Sequence, residues 1–152
     1  MRQPSTAPAP RASHSLALRR AAWFRYRLRR FLRFSERAAR TCGVTPQQHQ
    51  LLLGVAGYTG RGWATISELA EFLQERHNAV VGLVQRAARR GQVRKQPGAG
   101  DRRFVAVHRT PRGRTILRKL AGLHLEQLRT FKEEIGGSSG TRPSTPAPGR
   151  GA

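Results

Sequence analysis

Acidic side chains are scarce in this chain of 152 residues: eight Asp and Glu stand against 29 Lys and Arg, giving a formal net charge of +21. Such an excess selects polyanionic partners, nucleic acid first and an anionic membrane surface second. Lysine is nearly missing too, with 26 of the cations being arginine. Arginine's planar fork suits phosphate, although a GC-rich genome also favours arginine. That bias does not explain the shortage of acids. The single cysteine, Cys42, excludes an internal disulfide framework and points to an intracellular protein. No apolar run approaches the ~20 residues that span a bilayer. His14, His49, His77, His108 and His124 lie on separate segments without close ligand spacing, so no metal and no cofactor are expected. No Ser-His-Asp, Cys-His or paired-carboxylate arrangement can be assembled, which argues against an enzyme.

The two ends are poor in apolar residues and rich in Pro, Gly, Ser and Thr. Residues 1–15 and 136–152 are expected to be disordered tails, because they cannot bury enough surface to offset ordering entropy. The acid-free, arginine-rich N-terminus resembles a transit peptide in composition, but it runs without a break into a helix that the fold needs. Residues 16–135 remain as one domain.

Within it, Ala21, Phe24, Leu28, Phe31, Ser35 and Ala38 recur at helical spacing between Leu16 and Thr41, and Arg19, Arg25, Arg29, Arg30, Arg33, Arg37 and Arg40 occupy the other faces. This helix reads as a dimerisation element or a helix docked on its own core, and only thirdly as a cationic membrane-surface helix. Thr45-Pro46 caps and opens a second helix. Gly57 to Gly62 breaks it as a linker, since no strand precedes the glycines as a phosphate loop requires. Thr65-Ile66-Ser67-Glu68 is a capping box opening a third helix. Residues 74–77 form a turn, and Asn78 to Arg90 a fourth helix with Val80, Leu83, Val84 and Ala87 inward. Gln92 to Lys95 and Arg103 to His108 are strands about a tip at 97–100. Thr110-Pro111 opens a last helix ending at Gly136. The fold class is mainly α with a small β-wing (α+β): a winged helix-turn-helix over 45–109, with long helices at 16–42 and 110–135.

The chain resembles the MarR family of bacterial transcription regulators between Leu16 and Phe131. The residues that carry the resemblance are Thr45-Pro46-Gln47-Gln48, Ser67-Glu68-Leu69-Ala70, the recognition-helix run from Arg76 to Val84, Asp101-Arg102-Arg103 on the wing, and Thr110-Pro111-Arg112-Gly113. Their order and spacing carry the resemblance more than any single motif. It implies a homodimer with interleaved first and last helices on pseudo-palindromic double-stranded DNA. It further implies a repressor released by a small phenolic or amphipathic ligand, acting in the bacterial cytoplasm at the nucleoid. The chain departs from the family pattern in Gln74 and Glu75, where the turn ordinarily has a small and then an apolar residue. It departs again in Gln85, Ala87 and Ala88, where acids are usual.

Arg76, His77, Asn78 and Ala79 open the recognition helix, where side chains reach base edges. Arginine suits guanine, asparagine adenine, and alanine a thymine methyl. Val81, Gly82, Gln85 and Arg86 continue that face. The bland alternative is a solvated surface on which Asn78 serves only as a helix cap. Arg89, Arg90, Arg94 and Lys95 are expected at phosphates. Asp101, the sole aspartate, is expected to orient an arginine of the Arg102-Arg103 pair, which the resemblance assigns to Arg103; Arg103 would then enter the minor groove, the plain alternative being a surface ion pair. Trp23, Phe24, His49 and Trp63 are candidate lining for a ligand cleft. Cys42 sits after the first helix, so a small helix-end residue is the simpler reading than a peroxide sensor. Two other functions fit the charge: a non-specific nucleoid or RNA-binding protein, and a ligand- or redox-sensing module acting through a protein partner. For the wing, Arg103→Ala should weaken operator binding by about 1–3 kcal/mol in a titration. Unchanged affinity would remove Arg103 from the interface.

Overall fold

The computed structural model describes residues 11–97 and 104–136, with side chains over 14–97 and 104–133. Most of both expected tails, and the wing tip with Asp101, Arg102 and Arg103, lie outside the described residues.

The elements in chain order are α1 (Arg11–Thr41), α2 (Pro46–Leu53), a π-helical turn (Gly54–Tyr58), β1 (Trp63–Thr65), α3 (Ile66–Leu73), α4 (His77–Arg89), β2 (Val93–Pro97), β3 (Val105–Arg109) and α5 (Pro111–Gly136). Helix α1 begins five residues before the expected Leu16, so the end of the expected tail is helical. Alanine, leucine and arginine dominate there, and their helix propensity extends the helix to the proline at residue 10.

The starts of α2 and α3 obey the same local chemistry. Thr45 accepts from the Gln48 amide, and the Gln48 side chain accepts from the Thr45 amide at 3.0 Å. Thr65 and Glu68 repeat this reciprocal pair, and Arg61 adds an ion pair to Glu68 at 2.6 Å. The Thr65 amide, first, and Arg61 hold the Glu68 carboxyl below its ordinary range.

A strand absent from the sequence reading completes the sheet. β1 pairs antiparallel with β3, Ala64 opposite Val107, and β3 pairs with β2 on its other side, giving the order β1-β3-β2. Three residues are too few to show alternation. What forms β1 is the open edge of β3 and the Thr59 hydroxyl, which donates to the Trp63 carbonyl at 2.7 Å.

One core unites the winged region: Leu51, Leu52 and Val55 of α2 and its turn, Ala64, Leu69, then Val80, Leu83, Val84 and Ala87 of α4, Val93, Val107 and Leu117. A smaller cluster of Ala38, Ala39, Val44 and Leu120 joins α1 to α5. The two meet where α5 begins. Thr110 donates to the Gly91 carbonyl at 2.6 Å and caps α5 by accepting from the Gly113 amide at 3.0 Å. Gly113 lies so close to Gln92 that an added Cβ would collide with the Gln92 carbonyl. Gly113→Ala should therefore destabilise the domain by about 1–3 kcal/mol in chemical denaturation. A neutral result would show that α5 can shift without loss.

Candidate nucleic-acid interface

Helix α4 follows a turn in which Gln74 takes the left-handed conformation, φ 53°, at a position where glycine or asparagine is the usual choice. The Gln74 amide donates back to the Glu71 carbonyl at 3.1 Å and the Glu75 amide to Ala70 at 3.0 Å, closing α3 tightly enough to launch α4 at once. Arg76 is the residue before the first helical turn, and no side chain caps it. Asn78 is the second residue inside the helix, so the alternative role for it as the cap is excluded by the position of the helix start. The first amides of α4 and the positive end of its dipole are left facing outward.

The two faces of α4 are chemically opposite. Val80, Leu83, Val84 and Ala87 are buried, while Arg76, His77, Asn78, Ala79, Gln85, Arg86, Arg89 and Arg90 are exposed and Val81 and Gly82 half-buried. No acid occurs between Arg76 and Arg90. Arg94 and Lys95 are exposed on β2, which follows α4 directly. The structure thus brings twelve of the fifteen candidate DNA-contacting residues onto α4 and the strand beside it; the other three fall in the wing tip outside the described residues.

Behind the start of α4 lies a cleft of about 530 Å³. Leu32, Ser35 and Glu36 of α1 form one wall, Pro46, Gln47 and Gln50 of α2 another, and Asn78, Ala79, Gly82 and Arg86 of α4 the third. Four residues of the outward α4 face therefore also border this cleft. This cleft could not be read from the sequence, because its walls come from residues as far apart as Leu32 and Arg86.

The four residues suggested as ligand lining are not brought together. Trp23 packs edge-on against Tyr26 of its own helix at 5.5 Å, and Phe24 projects from the outer half of α1. Trp63 stands on β1 under the Arg61 guanidinium at 4.1 Å and beside His108. His49 is buried at the α2–α5 contact, its ring 5.1 Å from His124. None of the four borders the 530 Å³ cleft. Cys42 packs half-buried against the α1–α5 cluster. Among the described residues no three His, Cys, Asp or Glu side chains come together as a metal site would require.

The histidine pair has its own chemistry. Phe31 and Phe34 stand edge-on to His124. The His124 Nδ1 lies 2.6 Å from the Leu120 carbonyl, which can only accept, so that nitrogen carries the hydrogen. Its buried Nε2 has no hydrogen-bond partner. Burial, with His124 second, pushes the His49 pKa down to about 4.

These features define a winged helix flanked by two long helices, with a basic, acid-free recognition helix. Residues 43–103 match the model of the MarR family. No curated protein matches the chain by sequence. Among solved structures, a MarR family transcription regulator superposes with a TM-score of 0.68 at 23% identity, covering 80% of this chain and 78% of that one. A mutant of MepR from S. aureus, bound to an oligodeoxyribonucleotide, gives 0.61 at 18%, covering 78% and 83%. Bordetella bronchiseptica BpsR, whose DNA binding is regulated by 6-hydroxynicotinic acid, gives 0.58 at 18%, covering 76% and 83%. At these identities the likeness is one of fold.

The histidine pair generates a pH prediction. A histidine whose folded pKa lies below its unfolded value near 6.5 contributes stability that is complete above that value and is lost as pH falls toward 4. Thermal melts should show a loss on the order of 2 kcal/mol between about pH 7 and about pH 5, and His49→Phe should reduce it. An equal loss in both proteins would place the acid sensitivity elsewhere.

Proposed function

We propose that this protein is a dimeric, sequence-specific DNA-binding transcriptional regulator that represses its target and is released by a small amphipathic ligand. The observation that carries this reading is the division of α4 into a face locked in the core by four apolar side chains and an opposite face with four arginines, Asn78, Gln85 and no acid. The first gives rigidity, the second the donors and acceptors that read base edges in a major groove. The resemblance of the fold to MepR, solved on an oligodeoxyribonucleotide, supports the same orientation.

Dimerisation is supported by apolar residues that the single chain leaves exposed on its two long helices: Leu16, Leu18 and Phe24 on α1, Leu123, Leu125 and Leu128 on α5. Exposed apolar side chains concentrated on two long helices suit an interface with a second copy. Two α4 helices related by a twofold axis would meet half-sites ~10 bp apart. Arg103 and its neighbours in the wing would add a minor-groove contact.

Ligand release is assigned to the 530 Å³ cleft rather than to the four aromatic and histidine residues first suggested. Its walls join α1 to α4, and a molecule within it would touch Asn78, Ala79, Gly82 and Arg86, residues of the face that would otherwise meet bases. BpsR supplies a precedent of fold, its DNA binding being regulated by a small aromatic acid.

Selection from random duplexes should recover a pseudo-palindrome, and Asn78→Ala should weaken binding to it by about 1–3 kcal/mol. Phe24→Glu with Leu125→Glu should convert a dimer to a monomer in sedimentation and abolish operator binding. Recovery of no enriched sequence would favour the charge-driven, non-specific reading instead. Leu32→Trp should fill the cleft from α1 and leave operator binding intact while removing release by aromatic acids; release that persists would move the ligand elsewhere.

A further inference from the structure

Helix α1 carries ten arginines and one glutamate in 31 residues, far more positive charge than packing or dimerisation needs. Six of the ten form a stripe. At about 100° per residue, Arg19, Arg25, Arg29, Arg33, Arg37 and Arg40 fall within an arc of about 120°. All six are exposed. Neither ion pair among the described side chains involves them. Arg25, Arg29, Arg33 and Arg37 follow one another at i,i+4, the spacing at which like charges repel across a helix turn.

The stripe is centred roughly a quarter-turn from the α1 residues that face the recognition surface. From α1, the cleft facing α4 is bordered by Leu32, Ser35 and Glu36 and by none of the six arginines. The opposite arc of α1 is occupied by its own fold: Phe31 stacks on Phe131 of α5 at 5.2 Å, and Ala38 and Ala39 are buried with Leu120. An interfacial membrane helix must offer its apolar arc to lipid, and here the C-terminal half of that arc is taken. The arc of α1 left to solvent is dominated by guanidinium groups, with Glu36 the one acid within it. At 1.5 Å per residue the row is roughly 31 Å long, about one turn of a DNA duplex.

We infer that the arginine stripe of α1 is a second DNA-binding surface, which grips the phosphate backbone of a duplex without reading its sequence and lies on a different face from α4. Guanidinium groups spaced along a rod can lie against a duplex, which presents one negative charge per roughly 1.7 Å of its axis, and each arginine can donate a fork to a phosphate. A protein with both surfaces can hold its operator on α4 and a second duplex, or a distant part of the same one, on α1. The two-duplex geometry rests on the operator-facing role of α4; binding of bulk DNA by α1 does not.

The test uses the full chain and a random-sequence 30-bp duplex. Arg25, Arg29, Arg33, Arg37 and Arg40 are changed together to Gln, and separately to Lys. The Gln protein should lose at least about tenfold in affinity for the random duplex, and its plot of log affinity against log salt should flatten by about two units or more. The Lys protein should keep most of the binding, since backbone contact depends on charge. In a bridging assay, operator-immobilised parent protein should capture the labelled random duplex and the Gln protein should not. Should the Gln protein lose helix content, protection of the parent's α1 arginines from an arginine-selective glyoxal by the random duplex, read by mass spectrometry, replaces it. Unchanged random-duplex affinity and salt slope in a folded Gln protein, or no protection of those arginines, overturns the inference. So does loss confined to binding of phosphatidylglycerol vesicles with DNA binding intact. Failure of α4 to select any sequence would undo the operator reading and leave the α1 result standing.

Discussion

The arrangement of the whole molecule turns on one residue, Gln92, at the corner between α4 and β2. Its amide donates to the Ala87 carbonyl and closes the recognition helix. Its own carbonyl receives the Thr110 amide and hydroxyl, both at 3.1 Å. Its side chain reaches the Gln48 carboxamide, whose oxygen also accepts from the Thr45 amide. The end of α4, the start of the sheet, the start of α5 and the start of α2 are therefore joined through a buried polar node. Buried amides are costly when unpaired, so these elements must hold their relative positions together or lose the node together. Through it, the helix that would carry the second subunit and the helix that would read DNA become parts of one stiff frame.

Much of this was legible in the chain beforehand, and the reasons are local. Capping signals at Thr45, Thr65 and Thr110 and the apolar spacing of Val80, Leu83, Val84 and Ala87 fixed four helices, because each depends on residues within a turn or two of one another. The acid-free outer face of α4 follows directly from the inner one. What escaped the reading depended on distant partners. β1 exists because β3 has a vacant edge. The cleft behind α4 exists because α1 and α2 cross near it. Trp23, Phe24, His49 and Trp63 drew attention as aromatic or imidazole groups, but residue type does not say which wall of the fold a side chain joins. Gln74 was visible as a departure at the turn; only the backbone shows that it holds a left-handed conformation there.

Charge and packing have been separated with some care along the chain. Two of the eight acids are engaged in local tasks: Glu68 completes a cap and pairs with Arg61, and Glu126 pairs with Arg129 within α5. Of the others, Glu36 alone lies on α1 and none on α4. The positive field is thus a property of whole faces rather than of isolated pairs, and it sums over distance in a way that short ion pairs would cancel.

The sheet order carries a final consequence. β3 lies in the middle, so the outer margins are β1, three residues long, and β2, which bears Arg94, Lys95 and Pro97. A short margin offers little template, and a margin of cations and an imino acid repels and cannot donate to an incoming backbone. The sheet is in this way kept from pairing with strangers through its strands, which protects the fold from the stacking that leads to fibrils.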